Sequence, residues 1–110
     1  MYGIMNIRTA ERKAILRKIG QKYVSLEGAV FQIHRPDMTL VKDGTQDTFT
    51  SGPAGIFRVG MLPYGYYYVH EITVPDGYAE NGEDGWWYRV RVDLNGVTIE
   101  SGPDIQPVKP

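Results

Sequence analysis

The sequence predicts an all-β fold, an antiparallel β-sandwich of about seven short strands. Apolar and polar residues alternate with a period of two in several short segments, as in strands that bury one face. The 13 glycines and 7 prolines are frequent between those segments, and Asp43-Gly44 and Asn95-Gly96 are typical of tight turns. The 110 residues include no cysteine, so a single domain has to be held together by its own hydrophobic core.

The first strand is expected at Ala14–Ile19, where Leu16 and Lys18 share one face. A helix over Thr9–Lys18 competes with this strand, because Ala-Glu-Arg-Lys-Ala has high helix propensity. In Gly28–His34, the next strand, alternation places Ala29, Phe31 and Ile33 inward. The further strands are expected at Met38–Lys42, Asp47–Ser51, Gly55–Met61, Gly65–Glu71, Trp86–Asp93 and Val97–Glu100.

The end of the chain is a poor candidate for a central strand, because residues 101–110 contain three prolines, which cannot donate backbone hydrogen bonds. The last strand of the sandwich is therefore expected to be atypical or missing. The predicted organisation is an N-terminal segment or linker at residues 1–13, a sandwich domain at 14–102 and a proline-rich tail at 103–110.

Composition excludes several classes of function. The 12 basic and 13 acidic residues give a net charge of −1, which argues against nucleic acid or an anionic membrane surface as a partner. With two histidines, His34 and His70, and no cysteine, neither a metal site nor a cofactor is expected, and both histidines are expected at the surface. No catalytic motif of an enzyme with turnover is present.

The most informative segment is the tyrosine-rich strand that ends at Glu71. Alternation puts Tyr67, Val69 and Glu71 on one face, which drives a carboxyl group into the core behind two large apolar side chains. A buried carboxyl group is costly unless it is neutral or has a partner. Glu71 is therefore the first candidate for a functional residue.

The chain also resembles a known family through a combination of motifs. These are Lys18, Leu26-x-Gly28-Ala29-x-Phe31, Gly55, and Leu62-x-x-Gly65-x-Tyr67-x-Val69-x-Glu71-x-x-x-Pro75-x-Gly77-Tyr78. The pattern resembles the Cna protein B-type domains, prealbumin-like or Ig-like sandwiches of Gram-positive surface proteins and pilins. The resemblance implies that Lys18 forms an intramolecular isopeptide bond, which Glu71 catalyses once and without turnover.

The residue types suit that chemistry. An amine attacks a carbonyl carbon only when it is unprotonated, and burial disfavours the ammonium form. Burial also keeps a carboxyl group neutral, so that it can donate a hydrogen bond to the acceptor carbonyl and relay protons. Contact between the reactants supplies the effective concentration that free amides lack.

The acceptor is where the sequence departs from the family. A reactive asparagine is expected near the end of the last strand, and the chain has proline at 110 in that place. Three alternatives stay open: the domain lacks the bond, Asp104 is a displaced acceptor, or Asn6 in the strand-like segment Tyr2–Ile7 reacts within or between chains.

The resemblance implies a structural stalk or spacer module of an extracellular protein that other parts of the parent chain anchor to the cell wall. Its partners would be neighbouring domains, with a possible acceptor strand from another segment or chain. One alternative is a ligation module that accepts such a strand. Another is a binding module for carbohydrate or host protein that uses Tyr66, Tyr68 and one of Trp86 and Trp87.

Overall fold

The computed structural model describes residues 10–20, 24–74, 87–101 and 105–108. Within these residues the chain forms eight β-strands and one short 3₁₀ turn at Pro53–Gly55, and no α-helix. The strands are β1 (Glu11–Lys18), β2 (Val30–His34), β3 (Phe49–Thr50), β4 (Ile56–Pro63), β5 (Gly65–Thr73), β6 (Trp87–Asp93), β7 (Gly96–Ser101) and β8 (Ile105–Pro107).

The strands form two sheets that pack into a sandwich, which confirms the predicted fold class. One sheet has three strands in the order β4-β1-β8, and the other has five in the order β3-β2-β5-β6-β7. All these neighbours are antiparallel. The inward positions of both sheets form one core, in which Phe31 and Phe57 stack with their ring centroids 4.3 Å apart.

β1 begins at Glu11, earlier than expected, and the competing helix over Thr9–Lys18 is wrong. The backbone of Glu11–Arg17 pairs with Ile56–Pro63 of β4. This pairing satisfies the backbone of a segment whose local helix propensity is high, because tertiary contacts override a weak intrinsic preference. Residues 11–13, which the sequence assigned to a linker segment, are therefore part of the first strand.

The predicted strand at Met38–Lys42 does not form, and this segment is irregular after a turn at Pro36–Asp37. Met38 has a positive φ of 70°, and only Leu40 makes a bridge, to His34. Asp37 closes the turn, because its Oδ1 accepts hydrogen bonds from the Thr39 hydroxyl at 2.6 Å and from the Thr39 backbone N–H at 2.9 Å. These hydrogen bonds hold the pKa of Asp37 below its usual value.

The last strand is present but atypical. β8 has three residues, lies at the edge of its sheet and pairs with Leu16–Lys18 of β1. An edge position tolerates Pro107, because an edge strand pairs on only one side. The proline-rich end thus closes the sandwich beside β1 without entering the middle of a sheet.

Candidate functional site

The candidate site is built on the end of β1. The inward face of this strand carries Ala14, Leu16 and Lys18, which are 1%, 2% and 5% exposed. Strand alternation makes the lysine follow the two apolar side chains into the core, on the face that the sequence predicted it to share with Leu16. A lysine this deeply buried is rare and requires a partner.

Glu71 meets Lys18 from the opposite sheet. It lies on β5, the central strand of the five-stranded sheet, and shares the inward face with Tyr67 and Val69. Its neighbour on β2 is Phe31, which is fully buried. The carboxyl group is 1% exposed, so both the sheet and the core shield it from water.

The two side chains form a pair that bridges the sheets. Lys18 Nζ lies 3.3 Å from Glu71 Oε1 and 3.3 Å from Glu71 Oε2. Each group alone would be an expensive buried charge, whereas together they form a hydrogen-bonded ion pair. The arrangement therefore holds an amine and a carboxyl group in contact, away from bulk water.

The backbone around Lys18 is closely packed. Leu26 N–H donates to Lys18 O at 3.0 Å, which ties the segment after β1 back to the strand end. Gly55, with φ of 73°, lies so near that a Cβ atom there would stand 2.5 Å from Lys18 O. Only glycine fits this approach, so the Gly55 of the sequence motif serves to position the end of β1.

The two candidate acceptors of the isopeptide bond, Asn6 and Asp104, lie outside the residues that the structure describes. The Cα partner of Lys18 on β8 is Ile105, which is buried. The described part of this last segment, residues 105–108, contains neither asparagine nor aspartate.

A second group of side chains lies on the outer face of the five-stranded sheet. The imidazole of His70 stacks on the Trp87 indole, with centroids 4.0 Å apart and planes 3° apart, and His34 lies 5.1 Å from the same indole. Sequence reasoning treated the two histidines as separate surface residues. The pairing of β2 with β5 and of β5 with β6 brings them together, and no local signal reveals it.

The aromatic side chains of β5 and β6 alternate between the outer face of the sheet and the core. Tyr66 and Trp87 are each 39% exposed on the outer face, whereas Tyr67 is buried. The Arg89 guanidinium lies over the Tyr66 ring, 4.5 Å from its centroid. Trp86 lies outside the described residues.

The described residues also bear on two other classes of site. The part of the chain that the structure describes contains no group of three or more His, Cys, Asp or Glu side chains placed to hold a metal ion. It also contains no helix of the length and apolar character that a membrane span needs.

The comparisons with known proteins agree with the fold. The family model of the SpaA prealbumin-like fold domain matches residues 12–103, more than four fifths of the chain. No curated protein and no solved structure gives a significant match. The chain therefore belongs to the SpaA family of prealbumin-like fold domains, structural modules of extracellular surface proteins and pili.

Proposed function

We propose that this chain is a mechanical spacer of a Gram-positive surface protein or pilus, anchored to the cell wall through other parts of its parent. The observation that carries the proposal is the Lys18–Glu71 pair, buried in the core between the two sheets. A spacer has to resist being pulled apart, and a contact between sheets opposes their separation. The family to which the chain belongs supports the same role.

We further propose that Lys18 forms an isopeptide bond with Asp104 and that Glu71 promotes the reaction. Lys18 Nζ, as the free amine, attacks Cγ of the protonated Asp104 carboxyl group. The new N–C bond forms as the C–OH bond breaks, and one water molecule leaves with the protons that the amine and carboxyl group release. Glu71 donates a hydrogen bond to the acceptor oxygen and relays a proton to the leaving hydroxyl group.

Asp104 is preferred to Asn6 as the acceptor because it is adjacent in sequence to the residue that lies opposite Lys18. Asp104 directly precedes Ile105, the Cα partner of Lys18. Asn6 precedes the start of β1, and Lys18 stands at the other end of that strand, roughly 23 Å away. β8 also occupies the edge beside Lys18, so a ligating strand from another chain would first have to displace it.

Intact mass spectrometry under denaturing conditions tests the covalent step. A bond to Asp104 lowers the mass by about 18 Da through loss of water, and a bond to Asn6 by about 17 Da through loss of ammonia. We expect the loss of water in the wild type, and the full sequence mass in Glu71→Ala and Lys18→Ala. An unchanged wild-type mass would remove the covalent step and leave a spacer held by the buried pair.

A designed acceptor gives an independent check of the pair. In the double variant Asp104→Ala/Ile105→Asn, the amide at position 105 is directly opposite Lys18, where facing Cβ atoms are about 5 Å apart. We expect a loss of about 17 Da in this variant. The matched control, Asp104→Ala/Ile105→Val, keeps the core position apolar and should keep its full mass.

A binding role for carbohydrate or host protein is the second candidate function. It is favoured by Tyr66 and Trp87, both 39% exposed on the outer face. Aromatic rings of this kind stack on sugars and anchor protein partners. A glycan array with wild type and with Tyr66→Ala/Trp87→Ala tests it: signals lost in the variant support binding, and a blank wild-type array removes the carbohydrate version.

A further inference from the structure

The N-terminal half of β1 has an open edge. β4 pairs with β1 over Glu11–Arg17, whereas β8 pairs only over Leu16–Lys18. The last bond on the β8 side runs from Val108 N–H to Ile15 O at 2.9 Å. Beyond Ile15, in the direction of Glu11, the described residues supply no strand on this side.

The backbone groups that face the open edge follow from alternation. In an antiparallel ladder, successive residues direct their N–H and C=O groups to opposite sides. Ile15 O accepts from the β8 side, and Ala10 O accepts from Tyr64 N–H on the β4 side. Odd-numbered residues of β1 therefore face the open edge, so Glu11 and Lys13 present N–H and C=O groups there.

The continuation of β8 is poorly suited to fill this edge. The register that pairs Leu16 with Pro107 and Lys18 with Ile105 would bring position 110 opposite Lys13. Position 110 is proline, which has no N–H to donate to Lys13 O. The edge is therefore suited to a segment other than the direct extension of β8.

A groove lies beside the open edge. Its volume is about 420 Å³, and its lining includes Arg12 and Lys13 of β1, Val97 of β7, and Pro107 and Val108 at the end of β8. Arg12 spans the groove region to the other sheet, because its Nη1 donates to Asp93 O at 3.0 Å. The groove is thus bounded by both sheets and has apolar side chains next to backbone groups of β1 that no described strand pairs with.

We propose that this edge binds the N-terminal segment Tyr2–Ile7 of a second copy of the chain, in a reciprocal twofold exchange. The segment precedes β1, so it is tethered at the end of the sandwich where the groove lies. When two copies pair in this antiparallel, twofold arrangement, the N–H and C=O groups of odd-numbered residues in one copy form hydrogen bonds with those of odd-numbered residues in the other. Tyr2 and Ile4 then share the inward face with Arg12 and meet the apolar wall of the groove.

A second copy is preferred to the segment of the same molecule because of the connection. To fold back on its own β1, the segment would reverse direction at Arg8–Thr9, directly before Ala10, which is already bonded to Tyr64. Tight hairpins need residues that accept positive φ, such as Asn-Gly, and neither Arg8 nor Thr9 is of that kind. Exchange between copies requires no reversal.

Sedimentation velocity of the full chain over a range of concentrations tests the proposal. We expect dimers for the wild type. Lys13→Pro removes the N–H at the open edge and should weaken dimerisation about tenfold or more, whereas Lys13→Ala keeps that N–H and should dimerise as the wild type does. Ile4→Asp should abolish the dimer, and the matched Met5→Asp, on the other face of the segment, should not.

Each other result overturns the proposal. A wild type that is monomeric at every concentration overturns it, and protection of the Lys13 amide from hydrogen exchange in such a monomer would identify the chain's own segment as the occupant. A dimer that persists in both Lys13→Pro and Ile4→Asp has its interface elsewhere. A proton–nitrogen correlation spectrum of each variant checks that the sandwich is folded.

Discussion

Lys18 and Glu71 depend on each other for their stability in the core. Removing one partner leaves a buried polar group without its counterpart, which typically costs about 3–5 kcal/mol. Replacing both by apolar side chains of similar size is often close to neutral. The pair is therefore expected to contribute more to the specific arrangement of the two sheets than to net stability.

A double-mutant cycle measures this dependence. In an Asp104→Ala background, where the proposed bond cannot form, we expect Lys18→Met and Glu71→Leu each to lower the free energy of unfolding by about 3–5 kcal/mol. The combined variant should recover most of that loss, because the core becomes uniformly apolar. Urea denaturation gives the four values, and losses that simply add would show that the two groups are not energetically coupled.

The sequence predicts on which face of its strand each of these residues lies, but it does not predict the contact between Lys18 and Glu71. Alternation assigns Leu16 with Lys18, and Tyr67 with Glu71, to inward faces. It does not tell which strands share a sheet, and the pair in fact spans two sheets. The resemblance to a family supplied that link, because strand order is set by long-range packing that one segment does not encode.

At the scale of elements, the 3₁₀ turn before β4 is expected to hold the end of β1 in place. Gly55→Ala would bring a Cβ atom to 2.5 Å from Lys18 O and 3.0 Å from Leu26 N, and φ is 73° there. We expect a loss of about 3 kcal/mol or more, since positive-φ strain and a backbone clash act together. Thermal and urea denaturation measure it.

Gly44→Ala is the matched control for the turn. Gly44 also has a positive φ, 64°, but a Cβ atom there meets nothing within 4 Å. Its substitution should cost only the conformational strain, about 1–2 kcal/mol. Equal losses at the two positions would show that the close approach of Gly55 to Lys18 has no energetic weight.

The connection between β4 and β5 is stabilised by a tyrosine. The Tyr67 hydroxyl donates to Pro63 O across the turn, and burial raises the pKa of that hydroxyl above its usual value near 10. Tyr67 in the folded state thus keeps its proton at a pH where the unfolded chain loses it. The contribution of the Tyr67 hydroxyl to the free energy of unfolding is therefore complete below pH 10, and it is lost as pH rises through the folded-state pKa.

Tyr67→Phe is expected to cost about 1 kcal/mol at neutral pH, because one hydrogen bond is lost. It should also flatten the fall in stability above pH 10, since phenylalanine does not titrate. Urea denaturation from pH 7 to 11 checks both effects. Tyr66→Phe, on the exposed face of the same strand, is the control, and an unchanged alkaline slope in Tyr67→Phe would exclude Tyr67 as its source.

Whether a strand could be predicted from the sequence depends on which groups its backbone forms hydrogen bonds with. The strands observed at Val30–His34 and Gly65–Thr73 were predicted, at Gly28–His34 and Gly65–Glu71, because alternation marks one face of each as core. The segment at Met38–Lys42 was predicted as a strand as well, yet it is irregular, because the side-chain bonds of Asp37 hold the start of the segment in the preceding turn. The start of β1 at Glu11 was missed, because pairing with β4 is a tertiary contact that local propensity does not report.

At the scale of the whole molecule, both ends of the described chain leave the sandwich at the same end. β1 and β8 are antiparallel, and Val108 bonds to Ile15 while the chain enters β1 at Glu11. Tension between the ends therefore peels β8 from β1 one hydrogen bond at a time, starting at Val108. This geometry resists force less than shearing all the bonds at once, so a covalent bond at the far end of β1 has a large mechanical effect.

Force spectroscopy measures that effect. Without the bond, complete unfolding between Glu11 and Val108 releases roughly 350 Å of chain. With Lys18 joined to Asp104, peeling stops at Lys18, and only the two short strand ends are extended, roughly 40 Å in all. We expect the wild type to lack the long step and Glu71→Ala to show it. A long step in wild-type molecules whose mass shows the loss of water would mean that the bond is elsewhere, because a Lys18 cross-link would shield the chain between its two ends.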